Sequence, residues 1–197
     1  KKEIKQKIIT YLKKSIKKFD IVLCVDYSHG LIDKEIADLI ANSSNFFAVN
    51  SQLNSSNIGY HTLSKFKGAD MLLVNEDELR NETRQKSMNI NELLNLFINK
   101  NKFKSILLTR GKNGVLFKNK KSKLTHEFPA LTNFVVDKVG TGDSMLPIAT
   151  LSKFFNFKED LILLLSSIVA FNAVHTLGTE KKISKNNILR NIEYFLK

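Results

Sequence analysis

The segment Val136-Asp137-Lys138-Val139-Gly140-Thr141-Gly142-Asp143-Ser144 places a glycine-rich turn after an extended stretch and directly before a run with helical spacing. Such a turn points several backbone N–H groups at one spot. With the positive end of the following helix dipole, those groups form a hole suited to phosphate oxygens. Asp143, an acid at the helix start, would be ionised beside that phosphate and placed to accept a proton from an attacking hydroxyl. On glycine content alone, a tight turn with Asp143 as a helix N-cap is the simpler reading. The turn ends in an acid where a P-loop carries Lys-Ser/Thr, so neither a Walker nor a Rossmann fingerprint is present.

Outward from this turn the chain alternates between two periodicities. Ile4, Ile8, Leu12, Ile16 and Phe19 recur at three to four residues and predict an amphipathic helix over 3–18. Continuous apolar runs at 21–25, 46–49, 71–74 and 105–109 predict buried parallel strands, with helices at 34–41, 76–83 and 91–99 between them. Gly111-Lys112-Asn113-Gly114 and the hinge Asn119-Lys120-Lys121-Ser122 fold 115–118 and 123–128 into an antiparallel edge. Helices follow to about 155, over 159–176 and from Ser184. The expectation is an α/β domain of three layers, with a mainly parallel sheet and helices on both faces. No repeat or Pro/Gly-rich linker divides the chain, so residues 1–197 read as one domain.

Composition narrows the classes further. The 43% apolar content is that of a folded globular chain, and the apolar runs are too short for a bilayer span, which argues against a membrane partner. The 31 Lys+Arg against 19 Asp+Glu give a charge of +12, but the lysines are scattered and no arginine-rich block exists. A solvated lysine-rich surface is therefore expected, without specific nucleic-acid binding. The single Cys24 lies in an apolar run and cannot form an internal disulfide, which suits a reducing compartment and makes cytoplasm the expectation.

Asp137-Lys138-Val139-Gly140-Thr141-Gly142-Asp143 resembles the C-terminal signature of the ribokinase-like (PfkB) carbohydrate kinase family, Asp-Thr-x-Gly-Ala-Gly-Asp. The resemblance implies a ribokinase-like fold and ATP-dependent phosphoryl transfer to a hydroxyl of a sugar or sugar phosphate. In it, Gly140, Thr141 and Gly142 form the anion hole and Asp143 is the base. Other elements follow the family order. Asn75-Glu76-Asp77-Glu78 matches Asn-x-x-Glu, which implies Mg²⁺ and phosphate organisation by Asn75 and Glu78. Thr109-Arg110-Gly111-Lys112-Asn113-Gly114 resembles the nucleotide loop, implicating Thr109, Gly111 and Gly114, and Asn172 matches an asparagine beside the adenine. Taken singly, these are also a dipole-complementing acidic cluster, an ordinary hairpin and a helix-surface amide. The ordered set favours the kinase. Asp137 resembles the monovalent-cation loop of some members, with a turn-stabilising aspartate as the equal alternative.

Asp26-Tyr27-Ser28-His29-Gly30 resembles the strand-end loop of the heptose-phosphate kinase branch, which would turn Asp26 toward the cleft; a plain turn competes. That branch would also imply a homodimer and a nucleotidyltransferase domain fused in the parent protein. The family's sugar-binding Gly-Gly region, N-terminal strands and lid have no counterpart here. With the start at Lys1-Lys2-Glu3, the chain is expected to be the C-terminal larger part of such a domain, with one sheet edge open. Lys138 stands for the usual Thr, Thr141 for the usual Ala, and Pro147 interrupts the helix after the base. The loop 50–57 lacks the Asp-Pro-Lys of heptose kinases.

Two rivals stand beside the kinase. Gly142-Asp143-Ser144 could be the nucleophile block of a serine esterase, but the only later histidine is His175, with Asn172 rather than an acid before it. The other rival is a catalytically silent nucleotide-binding module with a regulatory or assembly role, which would not need Asp143. His29, His61 and His126 lack metal-ligand spacing, so no zinc site is expected.

Overall fold

The computed structural model describes residues 2–52, 63–175 and 184–196. In chain order the elements are α1 (Lys2–Ser15), β1 (Ile21–Asp26), α2 (Lys34–Ser43), β2 (Phe46–Ser51), β3 (Met71–Asn75), α3 (Glu76–Thr83), α4 (Ile90–Asn101), β4 (Ser105–Thr109), β5 (Val115–Asn119), β6 (Thr125–Phe128), α5 (Thr141–Phe154), α6 (Glu159–Val174) and α7 (Lys185–Phe195). Short 3₁₀ turns at Ile16–Lys18, Leu63–Phe66 and Gly111–Asn113 complete them.

The six strands form one sheet in sequential order, β1-β2-β3-β4-β5-β6. The pairings from β1 through β4 are parallel, and β5 and β6 are added antiparallel. Side chains of a strand alternate between faces, and this divides the core in two. Phe47, Val49, Leu72, Val74, Ile106 and Leu108 face the layer of α1 to α4. Ala48, Met71, Leu73, Leu107 and Phe117 face α5 and α6. Two apolar faces on every central strand explain why β3 and β4 read as unbroken apolar runs. The result is the expected three-layer α/β architecture.

Local chemistry sets the element ends. Asp33 caps α2 by accepting from the Ile36 N–H, and Ser184 caps α7 by accepting from the Asn187 N–H. Gly140 starts α5 from a left-handed conformation, φ 74°, which glycine adopts without penalty. Pro147 sits within α5 and is exposed; it has no N–H to offer the Asp143 carbonyl one turn earlier. Gly114 is required by packing, since a Cβ there would stand 2.0 Å from the Phe128 carbonyl oxygen.

β1 is an edge strand covered on one face. Cys24 is buried under α2, whereas Leu23 and Val25 on the opposite face are 41% and 36% exposed, and Leu151 and Phe155 at the far end of α5 are exposed as well. The open edge expected from the sequence is this one.

Candidate active site

The carboxyl ends of β1 to β4 and the start of α5 enclose a cleft of about 1310 Å³. That exceeds the ~300–1,000 Å³ of a pocket for one small ligand and leaves room for two reactants. A crevice at the carboxyl ends of parallel strands is where α/β sheets place ligands.

Asp143 is the third residue of α5 and lies where the ends of β1 and β2 meet. Its Oδ1 accepts from Asn50 Nδ2 at 3.0 Å and Gln52 Nε2 at 3.1 Å, and its Oδ2 accepts from Tyr27 Oη at 2.8 Å. The partners lie 91 to 116 residues away in sequence, so the carboxylate is positioned by the whole sheet and not by its own helix. The hydrogen bond to Asp143 pushes the Tyr27 phenol above its ordinary value, because the carboxylate favours the protonated donor. Asp143 is no N-cap: that position belongs to Gly140, which has no side chain to accept a bond.

Around the turn, the Ser144 N–H closes the first helical turn on the Gly140 carbonyl at 2.9 Å, and the Thr141 N–H reaches the Lys138 carbonyl at 3.3 Å. Gly142 and Asp143 contribute first-turn N–H groups, which have no preceding helical carbonyl to receive them. A Cβ at Gly142 would stand 3.0 Å from Asn50 Nδ2, so this glycine makes room for one of the amides that hold Asp143. Asp137 Oδ1 accepts from the Val139 N–H at 2.9 Å, and the N–H groups of Val136 and Asp137 both turn to the Val174 carbonyl. That ties the turn to the end of α6.

The opposite rim is built by α3 and the loop after β4. Asn75 and Glu78 form a capping box: Asn75 Oδ1 accepts from the Glu78 N–H, and Glu78 Oε2 accepts from the Asn75 N–H. Glu76 bonds Arg110 Nε at 3.0 Å and Arg80 Nη2 at 2.7 Å. Burial pushes the Glu76 carboxyl up, but the two guanidinium groups outweigh it and hold it below its ordinary value. Thr109, Gly111 and Gly114 line the cleft beside Arg110 and Lys112. Among the described residues, no group of three or more His, Cys, Asp or Glu side chains could hold a metal ion.

Two sequence expectations change on this geometry, and a rival already disfavoured loses its remaining support. Asp26 does not face the cleft. It is 4% exposed, ion-paired with Lys65 at 2.5 Å and bonded to Ser51, because it shares the α2 face of β1 with Cys24, so the next residue, Tyr27, reaches Asp143 instead. Asn172 lies outside the cleft wall; its Oδ1 accepts from Asn191 Nδ2 at 2.8 Å, and the wall on α6 is Ser167, Ala170, Phe171 and Val174. His175 pairs with the Phe171 carbonyl and Thr132 and packs on the rings of Phe134 and Phe171, which leaves the esterase reading without its base at Ser144. Asn50 and Gln52, missed in the sequence, were assigned to a loop; the first belongs to the end of β2, and the rest of that loop from 53 to 57 lies outside the described residues.

The three-layer α/β domain thus brings a glycine turn, a helix start and a held carboxylate into one crevice. The family model for pfkB family carbohydrate kinases matches residues 2–147, and the chain belongs to that family. No curated protein matches it in sequence. Among solved structures, it is similar to phosphofructokinase-2 from Escherichia coli in complex with potassium, with 15% identity, a TM-score of 0.77, and coverage of 96% of this chain and 62% of that one. Ribokinase from Thermotoga maritima gives 17% identity and a TM-score of 0.73, covering 91% and 59%. Arabidopsis thaliana ribokinase complexed with ribose and ATP gives 16% and 0.70, covering 89% and 56%. The chain thus spans about three fifths of the length of these relatives.

Proposed function

We propose that this chain carries the phosphoryl-transfer site of an ATP-dependent kinase acting on a hydroxyl of a sugar or sugar phosphate. The observation that supports it is the placement of Asp143, fixed by Tyr27, Asn50 and Gln52 directly beside the Gly140-Thr141-Gly142 turn. A silent nucleotide module would not need such a fixed carboxylate.

The acceptor hydroxyl donates to Asp143, which takes its proton as the oxygen attacks the γ-phosphorus of ATP and the bond from that phosphorus to the β–γ bridging oxygen breaks, its electron pair leaving on ADP. The first turn of α5, with Gly140, Thr141 and Gly142, faces its N–H groups to the transferring phosphoryl oxygens and offsets the charge gathering there. Thr109, Gly111 and Gly114 shape the loop that borders the nucleotide. Asn75 and Glu78 would hold Mg²⁺ at the acidic rim through its waters; bound there, the ion shields phosphate charge. Asp137 braces the turn through the Val139 N–H, and a monovalent cation beside it is a further expectation of the family, a potassium complex being known for the phosphofructokinase-2 relative. A fused nucleotidyltransferase domain, a homodimer and a cytoplasmic location belong to this reading as expectations of the parent protein, while the loop 50–57, without the Asp-Pro-Lys of heptose kinases, gives no ground for assigning their substrate.

The test is calorimetric titration with ATP in the presence of Mg²⁺, followed by phosphate transfer to ribose, fructose and fructose 6-phosphate. The chain should bind ATP, and at least one acceptor should be phosphorylated by the parent protein in an Asp143-dependent manner. Absence of ATP binding overturns the reading. ATP binding with transfer unaffected by Asp143→Asn removes the base.

A further inference from the structure

Two arginines meet one carboxylate on the rim of the cleft, and they are not used alike. Arg80 donates to Glu76 Oε1 through Nε at 2.9 Å, brings Nη2 to 2.7 Å of the same oxygen, and commits Nη1 to the carbonyls of Gln85, Lys86 and Met88. Its duty is to close α3 onto the loop that follows. Arg110 reaches Glu76 Oε2 with Nε alone, at 3.0 Å, and among the described residues its Nη1 and Nη2 bond no acceptor. Yet Arg110 is only 22% exposed and lines the cleft. One cation is enough to neutralise Glu76, and Arg80 supplies it, so Arg110 is a surplus positive charge. Its backbone is pinned as well: the Arg110 N–H donates to the Gly114 carbonyl at 2.8 Å, and the Arg110 carbonyl accepts from the Asn113 N–H at 3.1 Å. An arginine held through Nε and through both backbone groups keeps its Nη pair as a fixed fork, the geometry that takes two oxygens of one phosphate.

We propose that Arg110 is a phosphate-binding residue whose Nη fork takes oxygens of the nucleotide's polyphosphate, on the rim opposite the Gly140-Thr141-Gly142 turn. The proposal rests on the reading of the cleft as an ATP site. Arg110 falls between Thr109 and Gly111, where the resemblance to the nucleotide loop assigns no role. Glu76 becomes its positioning residue: with Arg80 bonded to the other carboxylate oxygen, Glu76 stays in place when phosphate arrives and keeps the fork oriented. An arginine that only offsets the acidic cluster Glu76-Asp77-Glu78 would act as a point charge, and a lysine would serve equally well.

The experiment is calorimetric titration of ATP with Mg²⁺, and separately of adenosine, into the wild-type chain, Arg110→Gln, Arg110→Lys and Lys14→Gln. Arg110→Gln leaves Glu76 paired with Arg80, so the fold should persist, and ATP affinity should drop roughly 10- to 100-fold, the range of one or two hydrogen bonds to a charged group. Adenosine has no phosphate and should bind the wild type and Arg110→Gln alike. Arg110→Lys keeps the charge without the fork and should stay at least about threefold weaker than wild type for ATP; it also tests the proposal if Arg110→Gln fails to fold. Lys14→Gln removes one positive charge from the exposed surface of α1 and should leave ATP affinity unchanged. Unchanged ATP affinity in Arg110→Gln, an equal loss for ATP and adenosine, a lysine as good as the arginine, or an equal loss in Lys14→Gln overturns the phosphate fork and leaves the nucleotide site standing. A wild-type chain that binds no ATP overturns the underlying reading instead.

Discussion

Replacing Asp143 by Asn separates chemistry from architecture. An asparagine can keep its oxygen toward Asn50 and Gln52 and turn its NH₂ toward Tyr27 Oη, which can accept by rotating its own hydrogen. All three contacts survive in kind, with charge-assisted bonds becoming neutral ones. A charged bond exceeds a neutral one by about 1 kcal/mol, and the half-exposed Tyr27 contact counts for less, so folding stability should fall by roughly 1–3 kcal/mol. The chemical loss is larger. Removing the proton acceptor should lower kcat for phosphoryl transfer ~10²–10⁴-fold, or about 2.7–5.5 kcal/mol of barrier. The carboxylate touches no other part of the nucleotide rim, so ATP affinity should change by less than about tenfold. Steady-state transfer in the parent protein, calorimetric ATP titration and thermal melting measure the three quantities independently. Turnover within threefold of wild type would refute the base assignment, and a collapse of ATP affinity to match kcat would show that Asp143 binds rather than reacts.

Gly114→Ala should destabilise the chain by at least ~2–3 kcal/mol, since its Cβ would meet the Phe128 carbonyl at 2.0 Å in a backbone conformation that alanine resists; chemical denaturation checks this. Burial pushes the Cys24 thiol from an ordinary 9.0 up to about 12. Below about pH 9 both folded and unfolded chains keep the proton. Above it only the unfolded chain loses it, so stability should fall by up to ~1.4 kcal/mol per pH unit toward 12, a slope that Cys24→Ala removes in denaturation series. The bare face of β1 should drive association, and the pair Leu23→Lys and Val25→Lys should lower the sedimentation-derived mass to that of one chain without lowering the melting temperature by more than a few degrees. A wild-type chain that is already monodisperse at high concentration would contradict this.

Much of the scaffold could be read from residues alone because central parallel strands are apolar on both faces, and β3 and β4 announce themselves as runs. The Gly140-Thr141-Gly142-Asp143 turn was legible for a similar reason: few backbone arrangements need two glycines and then an acid at a helix start. The partners of that acid were not. Asn50 and Gln52 look like loop residues because a polar side chain at a strand's carboxyl end breaks the apolar pattern, and only the parallel register of β1 and β2 brings them under α5. Their signal was the position itself, polar residues directly after an apolar strand. Asp26 and Tyr27 were separable in principle, since Cys24 and Asp26 share a face and adjacent residues do not. Asn172 resisted because helical spacing gives its neighbours but not which of them meets α7.

The sequential strand order also fixes a timetable for acquiring function. Neighbours in the sheet from β1 to β6 are neighbours in the chain, so each strand can join the one before it as the polypeptide emerges. Asp143 is the exception: it must close loops of 91 to 116 residues to find Gln52 and Tyr27. Its carboxylate is thus assembled after the sheet is complete and α5 has docked. A nascent chain whose sheet has formed but whose α5 has not docked therefore lacks both the Gly140-Thr141-Gly142 turn and the held carboxylate.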